Sequence, residues 1–303
     1  MAVPLAVKQG AESFTLTLYN TTAQTDTIKL GDDPVISRLD WQQANPTEIQ
    51  YTFQLKSRQQ WGYKLRYEGT SLILALRHPP DLGTQVKFRP RVGWGNNDPF
   101  DPFWNNWAGG LEVIPVKSLK GMTILLDPGH GSSNDLGARG PTGYPEKDAT
   151  LILAKLLRTE LEQRGATVLL TREGDEDLYP QDRATQINRL QPTLALSLHY
   201  NALPDDGDAM HTQGVSTFWY NPQAQSLAMF LHNYLVMKLH RPSYGVFWNN
   251  LALTRPTVAP AVLLELGFMI NPEEFEWIVN PKAQRQLARA IAEGIMHWVR
   301  LSL

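Results

Sequence analysis

The stretch "TILLDPGHG", from Thr123 to Gly131, decides the fold of the larger part of this chain. Its apolar half is short and ends in turn residues, which is typical of a buried strand in a parallel sheet. The strand leads directly into His130, which stands between two glycines. Open α/β sheets bind ligands beyond the carboxyl ends of their strands, so His130 is a candidate functional residue.

Beyond Gly131 the sequence alternates apolar strands with amphipathic helices, which is the pattern of an α/β domain. Further strands are predicted at 167–170, 194–198, 215–219 and 262–264. Helices are predicted from Glu146 to Gly165, from Pro180 to just before Pro192, near 223–239 and around 287–298. We therefore expect residues 120–303 to form an α/β domain with a mostly parallel sheet flanked by helices.

The N-terminal region has a different pattern. Residues 1–80 alternate apolar and polar side chains in short runs separated by turn residues. This pattern predicts antiparallel strands with one buried face, and so a small all-β, sandwich-like domain. Residues 81–119 are rich in Trp, Pro and Gly and form a predicted linker. Its aromatic rings are expected to dock on the neighbouring domains; the alternative is a platform for sugar rings.

The composition excludes several classes of protein. The chain has 303 residues, a net charge of -2 and no cysteine. The near-neutral charge argues against a broad nucleic-acid-binding surface. Without cysteine there is no disulfide framework, thiolate nucleophile or cysteine zinc site. No apolar run reaches the roughly 18 residues of a membrane span, and the start lacks an export signal, so we expect a cytosolic protein or an exported one whose signal was removed.

Two further strands resemble the first, because each apolar run is followed by one ionisable residue that could bind a metal or transfer a proton. "LALSLHYN" delivers His199 and "AVLLELGF" delivers Glu265, while Glu146 opens the first helix. Parallel strands end at one edge of a sheet, so these side chains are expected to converge on His130. Two imidazoles and a carboxylate are a ligand set of catalytic zinc, here His130, Glu146 and His199. Glu265 is then the proton-transferring carboxylate of an amide hydrolase.

Each of these four residues also has an ordinary structural explanation. A histidine in a glycine turn is often a hydrogen-bonded loop residue, and a glutamate at a helix N-terminus complements the helix dipole. These explanations do not account for all four residues falling at converging ends of one domain.

Five ordered motifs make the same residues part of a resemblance. The segments "LLDPGHG", "GPTGYPEKDATL", "TREGD", "SLHYN" and "PAVLLELGFMIN" resemble the zinc-dependent N-acetylmuramoyl-L-alanine amidases, which cut bacterial peptidoglycan. The similarity covers residues 120–303 and departs from the family at Ser132, where a glycine is common. It implies one Zn²⁺ per chain on His130, Glu146 and His199, with Glu265 as the catalytic glutamate. The substrate would be the amide that joins N-acetylmuramic acid to L-alanine.

The N-terminal β module resembles, more faintly, the AMIN-type domains that accompany such amidases. This resemblance implies a targeting role, in which residues 1–80 bind peptidoglycan or an envelope or septal protein. The expected location is then the periplasm or cell envelope, with the export signal removed. The expected role is cell-wall remodelling, cell separation or recycling. We expect no nucleic-acid partner and no membrane-spanning segment.

Two other functions remain open at this point. One is a non-catalytic wall-binding protein, although such proteins typically lose a ligand or the catalytic carboxylate. The other is a zinc peptidase that cuts within the stem peptide. Around the site, Arg183 is expected to pair with a helix or loop carboxylate, and Asp127 to orient His130 or hold the turn. The residues do not identify an oxyanion stabiliser.

Overall fold

The computed structural model describes residues 3–23, 28, 30–82, 118–204 and 206–303. Most of the predicted 81–119 linker, including its aromatic residues, lies outside these described residues.

The N-terminal region is all-β, as the alternating pattern predicts. Its six strands are β1 Leu5–Gln9, β2 Ser13–Tyr19, β3 Ile36–Asn45, β4 Glu48–Leu55, β5 Tyr63–Glu68 and β6 Ser71–Leu76. The first four form an antiparallel sheet in the order β1-β2-β4-β3, and β5 and β6 form a hairpin. The buried ring of Phe14 lies 4.9 Å from that of Tyr63, so sheet and hairpin share apolar contacts.

The C-terminal region is the expected α/β domain. Its strands are β7 Thr123–Pro128, β8 Thr167–Leu170, β9 Leu194–Asn201, β10 Val215–Trp219, β11 Ser243–Trp248 and β12 Ala261–Phe268. They form one sheet in the order β11-β10-β12-β9-β7-β8, in which only the β10–β12 pair is antiparallel. The mostly parallel sheet is thereby confirmed.

Five helices flank this sheet. They are α1 Glu146–Gln163, α2 Pro180–Leu190, α3 Pro222–Leu239, α4 Pro272–Val279 and α5 Pro281–Ser302. Side chains of α1, α3 and α5 pack with one face of the sheet into the main core. The other face carries a smaller cluster with α2 and the 3-10 turn Ala252–Thr254. Across the described residues, no helix has the length and apolar character needed to cross a membrane.

The β region is packed directly against the α/β domain. Trp61, which is 2% exposed, belongs to the main core, and its ring lies 5.3 Å from that of Trp298. The guanidinium of Arg77 donates to the carbonyl oxygens of Gln191, Pro192 and Val258. These contacts make residues 61–77 part of the packing of the C-terminal domain.

Replacing Trp61 by alanine is expected to lower the free energy of unfolding by about 3–5 kcal/mol, because a large buried ring is lost and a cavity remains. Urea unfolding of the two proteins measures this difference. The matched control is Trp248→Ala, since the Trp248 ring is 64% exposed, and we expect this variant to lose less than about 1 kcal/mol. Equal losses in the two variants would contradict the packing described for Trp61.

Candidate active site

The strand register brings the predicted site residues to one face of the sheet. His199 in β9 pairs with Glu265 in β12, and Asp127 in β7 pairs with Ser197 in β9. Side chains alternate along each strand, so these four share the face that also carries α2. His199 and Glu265 lie within their strands, because β9 and β12 run further than the apolar pattern indicated.

His130, Glu146 and His199 come together as a compact group. Their nearest ligand atoms all lie within 4.8 Å of one another. Nε2 of His130 is 3.1 Å from Oε2 of Glu146, and Nδ1 of His199 is 3.2 Å from Oε1 of the same carboxylate. The two imidazole rings meet edge to face, with centroids 5.0 Å apart.

The carboxylate of Glu146 is fixed by its position at the start of α1. It is buried, and it accepts hydrogen bonds from the backbone N–H groups of Ala138 and Tyr200 at 2.9 and 2.8 Å. Burial alone would raise the pKa of Glu146, but hydrogen bonds and charge interactions with the two histidines outweigh it and lower the pKa to about 2. The group is therefore an anionic ligand in a buried setting.

The same carboxylate acts on the two imidazoles. Burial would lower the pKa of His199, yet its hydrogen bond to Glu146 raises that pKa to about 9. The pKa of His130 is raised in the same way against the effect of burial. The site thus attracts positive charge, and two imidazole nitrogens with one carboxylate oxygen suit Zn²⁺ in type and number. The residues present fit the metal that the sequence predicts.

His130 is held by its backbone as well as by its ring. It has a φ of 60°, the left-handed region that non-glycine residues rarely adopt. Arg183 donates to the carbonyl oxygens of Pro128 and His130 at 2.7 and 2.6 Å, and Arg172 donates to those of Pro128 and Gly129 at 2.9 and 3.0 Å. These buried guanidinium groups hold the loop in a conformation that it would not favour alone.

Two glycines make room for the group. A Cβ on Gly129 would lie 2.3 Å from Cε1 of His199. A Cβ on Gly137 would lie 2.5 Å from both Oε2 of Glu146 and Cδ2 of His130, and Gly137 also has a φ of 70°. The glycine before His130 is therefore explained by the approach of a second histidine ring.

Asp127 and Arg183 form a buried pair beneath the loop. Nη1 of Arg183 lies 2.9 Å from Oδ1 of Asp127, so the partner is a strand carboxylate rather than the helix or loop carboxylate we expected. Asp127 also accepts hydrogen bonds from the hydroxyls of Thr171 and Ser197, both at 2.5 Å. Arg183 and these hydrogen bonds lower the pKa of Asp127 despite its burial.

Asp135 occupies the place beside His130 that the sequence suggested for Asp127. Its Oδ1 lies 2.5 Å from Nδ1 of His130, the ring nitrogen that faces away from Glu146. Asp135 was not among the predicted site residues; its signal in the sequence is the acidic side chain in "HGSSND", five residues after His130.

Asp135→Ala is expected to weaken zinc binding about 10- to 100-fold, because carboxylate partners fix the orientation of ligating imidazoles. Competition with a fluorescent chelator measures the affinity. Asp148→Ala is a matched control, since both side chains are 42% exposed and Asp148 pairs with Lys147 instead of a histidine. If both variants bind zinc as tightly as the original chain, Asp135 does not orient His130.

Glu265 is set apart from the group of three. Burial raises the pKa of Glu265 to about 7, although the neighbouring histidines act to lower it. Within the described part of the chain, its buried Oε2 has no hydrogen-bond partner. A carboxyl group that titrates near neutrality in a buried site is suited to taking up and returning a proton.

The fold and this geometry agree with the comparison to known families. The chain belongs to the N-acetylmuramoyl-L-alanine amidase family Amidase_3, whose family model matches residues 124–297. The match spans β7 to α5 and contains all four residues of the candidate site.

Individual relatives match a similar share of the chain. "Probable cell wall amidase LytH" of Staphylococcus epidermidis is 36% identical over 200 residues, which are 63% of this chain and 65% of that protein. The chain thus spans just under two thirds of the length of this curated relative. The structure of N-acetylmuramoyl-L-alanine amidase AmiC2 of Nostoc punctiforme matches with a TM-score of 0.55 and 29% identity. The match covers 58% of this chain and 96% of the AmiC2 chain.

A third similar structure is the CwlD amidase of Clostridioides difficile in complex with the GerS lipoprotein. It has a TM-score of 0.55 and 26% identity, and it covers 59% of this chain and 99% of its own. The match again concerns the α/β domain.

Proposed function

We propose that this protein is a zinc-dependent hydrolase of the amide bond between the lactyl group of N-acetylmuramic acid and L-alanine in peptidoglycan. The observation that carries the proposal is the group of His130, Glu146 and His199 beside Glu265, whose Oε2 is buried. Family membership and the cell wall amidases among its relatives support the substrate.

His130, Glu146 and His199 are the residues that would hold the metal. Zinc bound by them would supply Lewis-acid chemistry and activate water at neutral pH. Asp135 keeps the ring of His130 in place through Nδ1, and Arg183 and Arg172 keep its backbone in place.

Glu265 is the residue that moves the proton. Its carboxylate accepts a proton from the attacking water as the new C–O bond forms at the amide carbon. The same proton then passes to the amide nitrogen as the C–N bond breaks. The products are the lactyl carboxylic acid and a stem peptide with a free α-amine on L-alanine. The pKa of Glu265 near 7 suits both transfers.

Digestion of purified peptidoglycan by the zinc-loaded protein, followed by mass spectrometry, tests this proposal. We expect stem peptides that begin with L-alanine, and glycan strands whose muramic acid residues carry a free lactyl carboxylic acid. L-alanine left on muramic acid would identify a peptidase that cuts within the stem. Zinc binding without any released fragment would identify a wall-binding receptor.

Removal of the metal is expected to abolish this release, because the described site residues include no other Lewis acid. Dialysis against a chelator and titration with one equivalent of Zn²⁺ should remove and then restore the products. Undiminished release by chelated protein of verified metal content would contradict zinc dependence.

We further propose that residues 1–80 direct the enzyme to its substrate, as an AMIN-like module joined by 81–119 to the catalytic domain 120–303. The all-β structure of this region supports the proposal. The partner would be peptidoglycan or an envelope or septal protein. The setting would be the periplasm or cell envelope, during wall remodelling, cell separation or recycling.

Cross-linking of the full chain to insoluble peptidoglycan tests this targeting role. The Glu265→Gln variant is used so that the substrate is not consumed. We expect cross-linked peptides from residues 3–80 as well as from the catalytic domain. Cross-links from the catalytic domain alone would show that peptidoglycan is not the ligand of the β region.

A further inference from the structure

Among the buried side-chain polar atoms of the α/β domain that have no hydrogen-bond partner within the described residues, two belong to residues that pair with each other across neighbouring strands. One is Oε2 of Glu265, and the other is Oγ of Ser216, whose residue is 0% exposed. Ser216 in β10 is the antiparallel pairing partner of Glu265 in β12. Residues directly opposite in such a pair lie on the same face, with Cβ atoms about 4.5–5.5 Å apart.

The surroundings of Ser216 leave its hydroxyl few alternatives. On the other side of β10, Ser216 is paired with Gly245 of β11. Along the chain, the residues two positions away are Gly214, just before β10, and Phe218, on the same face of the strand. Of these four adjoining positions, all within the described residues, Glu265 alone carries a polar side chain.

A buried hydroxyl without a partner costs stability, and alanine fits the same space. Thr217, the next residue, shows the ordinary solution, since its hydroxyl points to the opposite face and donates to the carbonyl oxygen of Ala228. The neighbouring polar residue on the catalytic face lacks such a bond, which indicates that its partner belongs to the site.

We propose that Ser216 is a positioning residue for Glu265: the hydroxyl of Ser216 donates a hydrogen bond to the buried carboxylate oxygen Oε2 of Glu265. The facing positions of the two residues in the antiparallel pair place their side chains within reach of each other. Ser216 then fixes the carboxylate so that its other oxygen faces the reacting water. The catalytic part of this inference rests on the proposed hydrolysis, whereas the contact itself does not.

Kinetics on soluble muropeptides test the catalytic part. For zinc-loaded Ser216→Ala we expect kcat to fall about tenfold while KM stays within about twofold, because the hydroxyl acts on the proton carrier and not on substrate binding. Ser216→Thr keeps the hydroxyl and should recover most of the loss. Thr217→Val, which removes the adjacent buried hydroxyl from the opposite face, should leave kcat unchanged. A rise in KM at constant kcat, or a loss of bound zinc in Ser216→Ala, would overturn the inference.

Unfolding by urea tests the contact without any reference to activity. In the original background, Ser216→Ala leaves the Glu265 carboxylate without its partner and should lower the midpoint. In a Glu265→Ala background, the same change removes a hydroxyl that has no partner and should raise the midpoint or leave it unchanged. Equal shifts in both backgrounds would show that the residues do not interact. If the original chain releases nothing from peptidoglycan, the proposed function fails, and this cycle still decides whether Ser216 holds Glu265.

Discussion

Glu265→Gln is expected to lower kcat for release of stem peptides about 10³-fold while leaving zinc content and KM close to those of the original chain. The amide keeps the size and hydrogen-bonding groups of the side chain but does not accept and return the proton. Because Glu265 stands apart from the three residues within 4.8 Å of one another, its loss should not release the metal. Steady-state kinetics and metal analysis on the same preparation measure both effects.

Glu146→Gln is the informative comparison for this variant. It makes the same chemical change at the carboxylate that both histidines contact, so zinc content should fall together with activity. Glu273→Gln, on the exposed surface of α4, should change neither. A Glu265→Gln protein that retains activity within about tenfold would rule out a proton-transfer role.

Glu274→Ala is expected to lower the free energy of unfolding by about 3–5 kcal/mol, the cost of removing one partner of a buried ion pair. The Glu274 side chain is 1% exposed and pairs with Arg241, which itself lies over the ring of Trp277. Its oxygens also accept hydrogen bonds from the backbone N–H groups of Phe268 and Gly214, at 2.6 and 3.1 Å. One carboxylate thus joins the end of β12, the residue before β10 and Arg241, which lies two residues before β11.

Glu276→Ala is the matched control, because Glu276 lies on the same helix and is exposed. We expect it to unfold within about 0.5 kcal/mol of the original chain. Arg241→Met should be costly in the same way as Glu274→Ala, and the double variant should be less destabilised than the sum of the two. Additive losses would show that Glu274 and Arg241 contribute independently.

The sequence predicts several strands of the α/β domain because short, mostly apolar runs mark them between the predicted helices. The runs at 167–170 and 215–219 coincide with β8 and β10. The elements that the sequence did not predict lack a clear hydrophobic periodicity. β11 contains Gly245 and lies at the edge of the sheet, where its burial does not alternate, and α4 has only eight residues, about two turns. In the β region, the alternating runs at 14–18, 49–55, 63–67 and 72–76 predict β2, β4, β5 and β6 but not β1 and β3, which are the two edges of their sheet.

The candidate site was predictable to the extent that its residues interrupt apolar runs. His199 and Glu265 stand out because a buried strand has few reasons to carry them. Asp135 lies among other polar residues, and Ser216 is a small side chain that a strand commonly accommodates. Their roles therefore depend on distances and strand register that only the folded chain supplies. Of the two roles expected for Asp127, orienting His130 belongs to Asp135 for the same reason, since proximity in sequence to His130 does not tell which carboxylate reaches its ring.

The packing of Trp61 against Trp298 has a consequence for where the enzyme can cut. A flexible tether would let the catalytic cleft sweep a volume set by the tether length around an attachment point. A β region that shares a core with the α/β domain fixes both the distance and the orientation of the candidate site relative to the attachment point. Once the proposed hydrolase is anchored through its β region, the candidate site faces one direction, and successive cuts require release and rebinding. Loosening that joint with Trp61→Ala would then widen the range of bonds reached from a single anchoring site, at the expense of stability.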